Sequence, residues 1–160
     1  MPDTPSPDPI AELRAVMHRL RAPGGCPWDA VQTHESLIPH LIEEAYEVAE
    51  AARSGDMAHL KEELGDLLLQ PVLHAEIASE TGAFSLDDIA RDITEKLVRR
   101  HPHVFGDAAV EDAAGVIRQW EEIKRAEKGG GRESRLHGVS RALPALMRAQ
   151  KLQKKAARAG

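Results

Sequence analysis

The chain has 160 residues, a net charge of -5, 42% apolar residues and only 3% aromatic ones, enough for one domain whose core is built from Leu, Ile, Val, Ala and Met. No apolar run approaches the ~18 residues of a membrane span, and no segment reads as a signal peptide. The lone Cys26 excludes an internal disulfide and fits a reducing cytoplasm, and the negative balance argues against nucleic acid as the main partner.

In chain order, residues 1–8 (MPDTPSPD) are Pro-rich and polar and predict a disordered tail. A first helix is predicted from Pro9 to about Arg21, with Asp8 as N-cap and Pro9 at its first position. Its Ile10, Leu13, Val16, Met17 and Leu20 recur at helical spacing. The stretch 22–29 (APGGCPWD) predicts a loop. A second helix spans about Ser36 to Arg53 and closes at Ser54-Gly55; a third starts after Asp56 and runs to about Thr81, with Gly82 as its stop and Pro71 as a kink. A fourth opens at Ser85, where Asp88 three residues on makes an imperfect capping box, and carries Leu86, Ile89, Ile93 and Leu97. After RRHPHVFGD a fifth helix covers roughly 111–128 and ends at Gly129-Gly130-Gly131; a basic last helix covers about 140–158. No strand-like alternation and no internal repeat is present. The fold class is all-α, one domain over 9–160 with a basic helical segment at 132–160.

Between Glu43 and Asp66 stand eight acids against only Arg53 and Lys61, whereas from Ser134 onward there are seven Lys or Arg and no acid. On the third helix, at ~100° per residue, Leu60, Leu64, Leu67, Leu68, Pro71 and Ala75 share one face, with Leu69 and Leu73 nearly opposite. Glu63, Asp66, Gln70 and His74 fall in the polar gap between. A helix apolar on two sides is usually buried, and buried carboxylates need partners. On the second helix, Leu41, Ile42, Ala45, Val48, Ala49 and Ala52 make the expected core face, with Glu44 at its edge and Glu47 on the same flank. The short turn Ser54-Gly55-Asp56 makes the two helices an antiparallel pair, so Glu44 and Glu47 can face Glu63 and Asp66. Four carboxylates around one small volume repel unless Mg²⁺, or Mn²⁺ in its place, occupies it, because hard divalent cations take oxygen ligands. The other way to satisfy them is a set of ion pairs with Lys96, Arg99 and Arg100.

Glu44-Ala-Tyr-Glu47, fifteen residues, then Glu63-Leu-Gly-Asp66 resembles the signature of the MazG family of all-α nucleoside triphosphate pyrophosphohydrolases. The stretches 24–37, 62–75, 96–107 and 138–160 resemble that family as well, so the likeness covers about residues 10–160. The resemblance implies hydrolysis of NTPs or dNTPs to the monophosphate and pyrophosphate, by a helical bundle completed in a homodimer or higher homo-oligomer. It implies Glu44, Glu47, Glu63 and Asp66 as metal ligands, Lys96 and Arg100 as phosphate-contacting cations, and Trp120 and Lys124 as a pair near the substrate. Many relatives carry two such domains in tandem. This chain looks like the first, reaching Gly160 where a linker to the second would start.

Phosphoanhydride hydrolysis needs charge neutralisation and an aligned water more than covalent chemistry. Glu44 or Glu47 is the candidate to orient that water or take its proton, with Lys96 and Arg100 stabilising phosphate charge as catalytic cations. Trp28 and Trp120 are each open to base stacking or to a core role, and Gln32 joins Trp28 in the candidate substrate-binding loop. His74 is open to contact with substrate or a site water, or to a core role; His101 and His103 flank Pro102, where a turn or helix stop outweighs a metal pair. A di-iron carboxylate site is disfavoured because no Glu-x-x-His occurs. The remaining alternatives are a catalytically weak nucleotide-binding or interaction module and a phosphoribosyl-ATP pyrophosphohydrolase.

Overall fold

In the computed structural model, which describes residues 8–127 and 138–157, Asp8 caps the first helix as its sequence predicts. Its carboxylate accepts from the amides of Ile10 and Ala11, two of the N–H groups that a helix start leaves unpaired. Helix α1 spans Pro9–Arg21, α2 is a single turn, Pro27–Ala30, and α3 spans Ile38–Ser54. Gly55 follows at φ 75°, a left-handed residue that ends α3 and reverses the chain. Asp56 then caps α4, Met57–Glu80, through the amides of Ala58 and His59. Helix α5 spans Leu86–Arg100; α6 is the short Pro102–Phe105, α7 spans Ala113–Glu127 and α8 spans Ala145–Ala157. Among the described residues there is no strand, so the all-α class holds.

Several boundaries move for local reasons. The loop expected over 22–29 contains α2, opened by Pro27 at its first position. The segment RRHPHVFGD holds α6, again behind a proline. The second predicted helix begins at Ile38 rather than Ser36, because Thr33 and Ser36 exchange side-chain and backbone hydrogen bonds in a turn just before it. Helix α8 begins five residues later than predicted, after Pro144, which disfavours helix at the residue before it. The capping box at α5 is reciprocal: Asp88 accepts from the Ser85 amide at 2.9 Å, and the Ser85 hydroxyl accepts from the Asp88 amide at 3.3 Å. The Ser85 hydroxyl also donates to the Asp88 carboxylate at 2.7 Å; that bond first, then those from the Ser85 amide and from Arg91, hold the Asp88 carboxyl down at about 2. Residues 1–7 of the predicted tail, the glycine stop at 129–131, the start of the basic segment at 132–137 and the chain end at 158–160 lie outside the described residues.

The chain divides into two units, residues 1–97 and 98–160. In the first, α3 and α4 form a helical hairpin, and α1 packs on α4 and on α2. The core gathers Met17, Leu37, Val72 and Leu73, with Leu13, Leu20, Leu69, Ile77 and Leu86 packed against it. It therefore sits on the second half of α4. The predicted core face of α3 is a correction: Leu41 and Ile42 are exposed, and the buried residue of that helix is Ala51. The first half of α4 likewise leaves Leu64 and Leu68 exposed, although periodicity predicts a helix buried on two sides.

One side chain ties the connections together. Arg21, at the end of α1, is 5% exposed and grips the Glu80 carboxylate through Nε at 2.6 Å and Nη2 at 2.9 Å. Its Nη1 donates to the carbonyls of Asp29 and Gln32, fixing the loop that carries α2. Gly25, in the connection after α1, has no room for a side chain: a Cβ there would lie 2.3 Å from the Leu20 carbonyl oxygen.

Candidate active site

Counted from Gly55, Glu44 and Asp66 are each eleven residues away, and Glu47 and Glu63 are each eight. In an antiparallel hairpin such pairs stand level, since both helices rise equally per residue. The structure brings Glu44, Glu63 and Asp66 together, with one carboxylate oxygen of each within 4.8 Å of the others. Glu47 is exposed, one turn along α3, and acts on the cluster through Glu44. The Glu44 carboxyl is pushed up from its ordinary range first by burial, then by the charges of Asp66 and Glu47, a hydrogen bond with Glu47 and the charge of Glu63.

Glu63 receives His59 Nε2 at 2.9 Å, from one turn earlier on α4. Within the second unit, Arg99 and Arg100 both pair with Glu127. The three clustered carboxylates are an anionic, oxygen-only donor set of the kind a hard divalent cation takes. Soft-metal ligands are missing from it: Cys26 lies in the loop before α2, outside the group.

Further along the polar gap of α4, Gln70 is 5% exposed and its Oε1 has no hydrogen-bond partner among the described residues. Next comes His74, whose Nδ1 lies 2.8 Å from Nδ1 of His34. The rings are within 7° of parallel with centroids 5.1 Å apart. That separation equals the contact plus two ring radii, so the imidazoles lie edge to edge in one plane and one donates to the other. Burial, then the neighbouring His34, lowers the His74 pKa from its ordinary value.

The aromatic candidates are not core residues. Trp28 is 52% exposed and meets His40 edge-on. Gln32 is half-buried, donates to the Trp28 carbonyl at 2.9 Å and accepts from the Ser36 hydroxyl at 2.7 Å, so the two are locked in one loop. Lys96 is exposed on α5, one turn before Arg100. In the second unit, Trp120 lies 5.4 Å from the Arg100 guanidinium carbon and edge-on to His101. Lys124 makes a 3.4 Å pair with Glu121, and His103 Nδ1 contacts Gln119 Oε1 at 2.9 Å rather than forming a metal pair with His101. His59 was findable from sequence by its i, i+4 spacing to Glu63. The partnerships of His34 with His74 and of Arg100 with Glu127 were not, because they join residues 40 and 27 apart.

A helical hairpin that brings three carboxylates together defines an all-α protein with an acidic cluster. The comparisons narrow this. The MazG nucleotide pyrophosphohydrolase domain model matches residues 32–105, a span holding all four carboxylates, Gln32, Lys96 and Arg100 but not Trp28, Trp120 or Lys124. A crystal structure of a mazG-related protein from Thermotoga maritima superposes with a TM-score of 0.60 at 31% identity, covering 72% of this chain and 98% of that one. The chain is 50% identical over 93% of its length to the nucleoside triphosphate pyrophosphohydrolase/pyrophosphatase MazG of Thermotoga maritima. It is 47% identical over 94% of its length to the nucleoside triphosphate pyrophosphohydrolase of Escherichia coli K12. This chain belongs to the MazG family. It spans 57% and 58% of the length of those two curated relatives.

Proposed function

We propose that the chain hydrolyses nucleoside triphosphates to the monophosphate and pyrophosphate, with Mg²⁺, or Mn²⁺ in its place, held by Glu44, Glu47, Glu63 and Asp66. The observation that carries this reading is the convergence of Glu44, Glu63 and Asp66 within 4.8 Å across two level helices. The names of the relatives support the substrate class. A bound divalent ion supplies charge neutralisation on the phosphates and a more acidic water. The chain's own residues do the rest. Glu44 or Glu47 orients a water and takes its proton as the water oxygen bonds to phosphorus and the bridging P–O bond breaks. Lys96 and Arg100, one turn apart at the end of α5, take up the charge of the phosphates. Contacts with the rest of the nucleotide are assigned to Trp28 and Gln32 in the first unit and, separately, to Trp120 and Lys124 in the second.

The same reading places the protein in the cytoplasm, in nucleotide-pool cleaning or regulation, as a homodimer or higher homo-oligomer. Exposed Leu41, Ile42 and Tyr46 on α3 and Leu64 and Leu68 on α4 support the assembly, because such apolar rows are ordinarily covered. No described helix is long and apolar enough to cross a membrane.

The test is pyrophosphate release from a panel of NTPs and dNTPs with Mg²⁺, using Glu63→Ala and Asp66→Ala. Both variants are expected to lose turnover while keeping their helical circular dichroism, since removing one acid from a self-repelling cluster relieves the unliganded fold. Near-normal hydrolysis by Glu63→Ala sinks the four-carboxylate site.

A further inference from the structure

The second unit contains an arrangement that neither the motif nor the relatives' names assign. Two consecutive arginines at the end of α5 converge on one carboxylate at the end of α7. Arg100 Nε lies 3.3 and 3.2 Å from the two oxygens of Glu127, and its Nη2 donates to Oε2 at 2.6 Å. Arg99 Nε donates to Oε1 at 2.7 Å. The two arginines are unequal: the Arg100 side chain is 13% exposed, that of Arg99 54%.

We propose that Glu127 is a positioning residue for Arg100, holding its guanidinium so that the Nη1 edge is presented to a phosphate group of the substrate. This rests on the phosphate role given to Arg100 above. A guanidinium has five N–H donors in one plane, and Glu127 occupies the Nε–Nη2 edge. Nη1 makes no hydrogen bond to any described residue. The Trp120 ring packs against the group with its centroid 5.4 Å from the guanidinium carbon, and the carboxylate fixes which edge is occupied. A long side chain held on two sides loses little further freedom when it meets an anion. Two cations against one carboxylate also leave a surplus positive charge, so the cluster still attracts phosphate. The Glu127 carboxyl, held at about 2 by Arg100 first and Arg99 second, stays ionised wherever a triphosphate carries its full charge.

The opposite role is distinguishable. If Glu127 occupied the edge that phosphate needs, it would compete with substrate, and its removal would tighten binding. The experiment is calorimetric titration of the full chain with inorganic pyrophosphate in Mg²⁺, together with KM and kcat for the NTP turned over fastest. Glu127→Gln is expected to weaken pyrophosphate binding and raise KM by about tenfold, the scale of one charge-assisted hydrogen bond, with kcat changed less than about twofold. Arg100→Ala is expected to lose at least as much, and Glu127→Gln is expected to add nothing in that background. If Glu127→Gln does not fold by circular dichroism, Arg100→Lys serves instead. It keeps the charge but cannot be held as a fork, and about the same loss is expected. Unchanged or tighter binding in Glu127→Gln, wild-type binding in Arg100→Lys, or additive losses in the double variant overturns the positioning role alone. Unchanged binding in Arg100→Ala overturns the phosphate role of Arg100, and the positioning role with it.

Discussion

Replacing Arg21 by alanine tests whether one buried cation organises the loop that bears Trp28 and Gln32. The side chain is 5% exposed and bonds three acceptors on two segments: the Glu80 carboxylate and the carbonyls of Asp29 and Gln32. Losing it leaves the two carbonyls short of a donor, at about 1 kcal/mol each. Glu80 is 44% exposed and regains water, so its share is smaller, about 0.5 kcal/mol. Removing the buried stem adds about 1 kcal/mol of lost packing. The sum is about 3.5 kcal/mol, or roughly 7–14 °C in melting temperature for a chain of this size. Urea titration followed by circular dichroism measures it, with Arg21→Met as the control that keeps the stem and lacks the donors. Arg21→Met should recover only the packing share, and Arg21→Lys should fall short of wild type because an ammonium cannot reproduce the fork. A loss below about 1 kcal/mol for Arg21→Ala, or full recovery by methionine, refutes the hub. Because the loop also carries the exposed Trp28, KM for nucleotide is expected to rise in Arg21→Ala while metal-dependent stabilisation persists.

Mg²⁺ at about 100-fold over its dissociation constant should stabilise the fold by about 2.7 kcal/mol and raise the melting temperature by roughly 5–10 °C, with EDTA reversing it; a melting curve indifferent to Mg²⁺ counts against the cluster. The His74 pKa is lowered in the fold, so its neutral form contributes stability that is complete above the ordinary 6.5 and is lost as pH falls below it. The lowered carboxyls of Asp88 and Glu127, both at about 2, add a second loss from their ordinary 3.8 and 4.5 downward. A melting profile in metal-free buffer should therefore fall in two stages on acidification, and His74→Gln should remove the first; one that keeps its first stage in the variant contradicts the assignment. Light scattering at micromolar concentration should give at least twice the 17.5 kDa chain mass, and a mass of one chain defeats the assembly reading.

The elements most legible in the sequence are those whose ends carry their own chemistry. Asp8-Pro9 marks the start of α1 to the residue, and Gly55-Asp56 closes α3 and opens α4 with a left-handed glycine and a capping carboxylate. Where an end depends on competition between turns, as at Thr33 and Ser36 before α3, composition alone misplaces it. The acid cluster was legible for a related reason. Two i, i+3 pairs at matching distances from one tight turn come out level whatever else the chain does. Periodicity was weaker on burial, because it marks a face as apolar without saying what covers it. Leu41, Ile42, Leu64 and Leu68 carry the expected pattern and are exposed in this chain, while a plain Ala51 is buried.

Those same exposed rows bear on how the hairpin tolerates its charge. The folding core lies on the second half of α4, around Val72, Leu73, Ala75 and Ala78, whereas Glu63 and Asp66 stand on the first half. From Asp66 to Leu73 is about 10 Å of helix, roughly one Debye length at moderate ionic strength. Repulsion among the acids therefore bears on the part of the hairpin with the least buried apolar surface, not on Met17, Leu37 and Leu73. Burying the acids deeper would require counter-charges within the fold, which would weaken their hold on a cation. Leaving them on a thinly packed half keeps the donor set anionic, and two external contributions can then complete that half: a divalent ion among the carboxylates and a second chain over Leu41, Ile42, Leu64 and Leu68. In the proposed function both would act on the same two helices, so the expected outcome is that Mg²⁺ shifts the oligomer equilibrium toward the larger species in wild type, and not in Asp66→Ala.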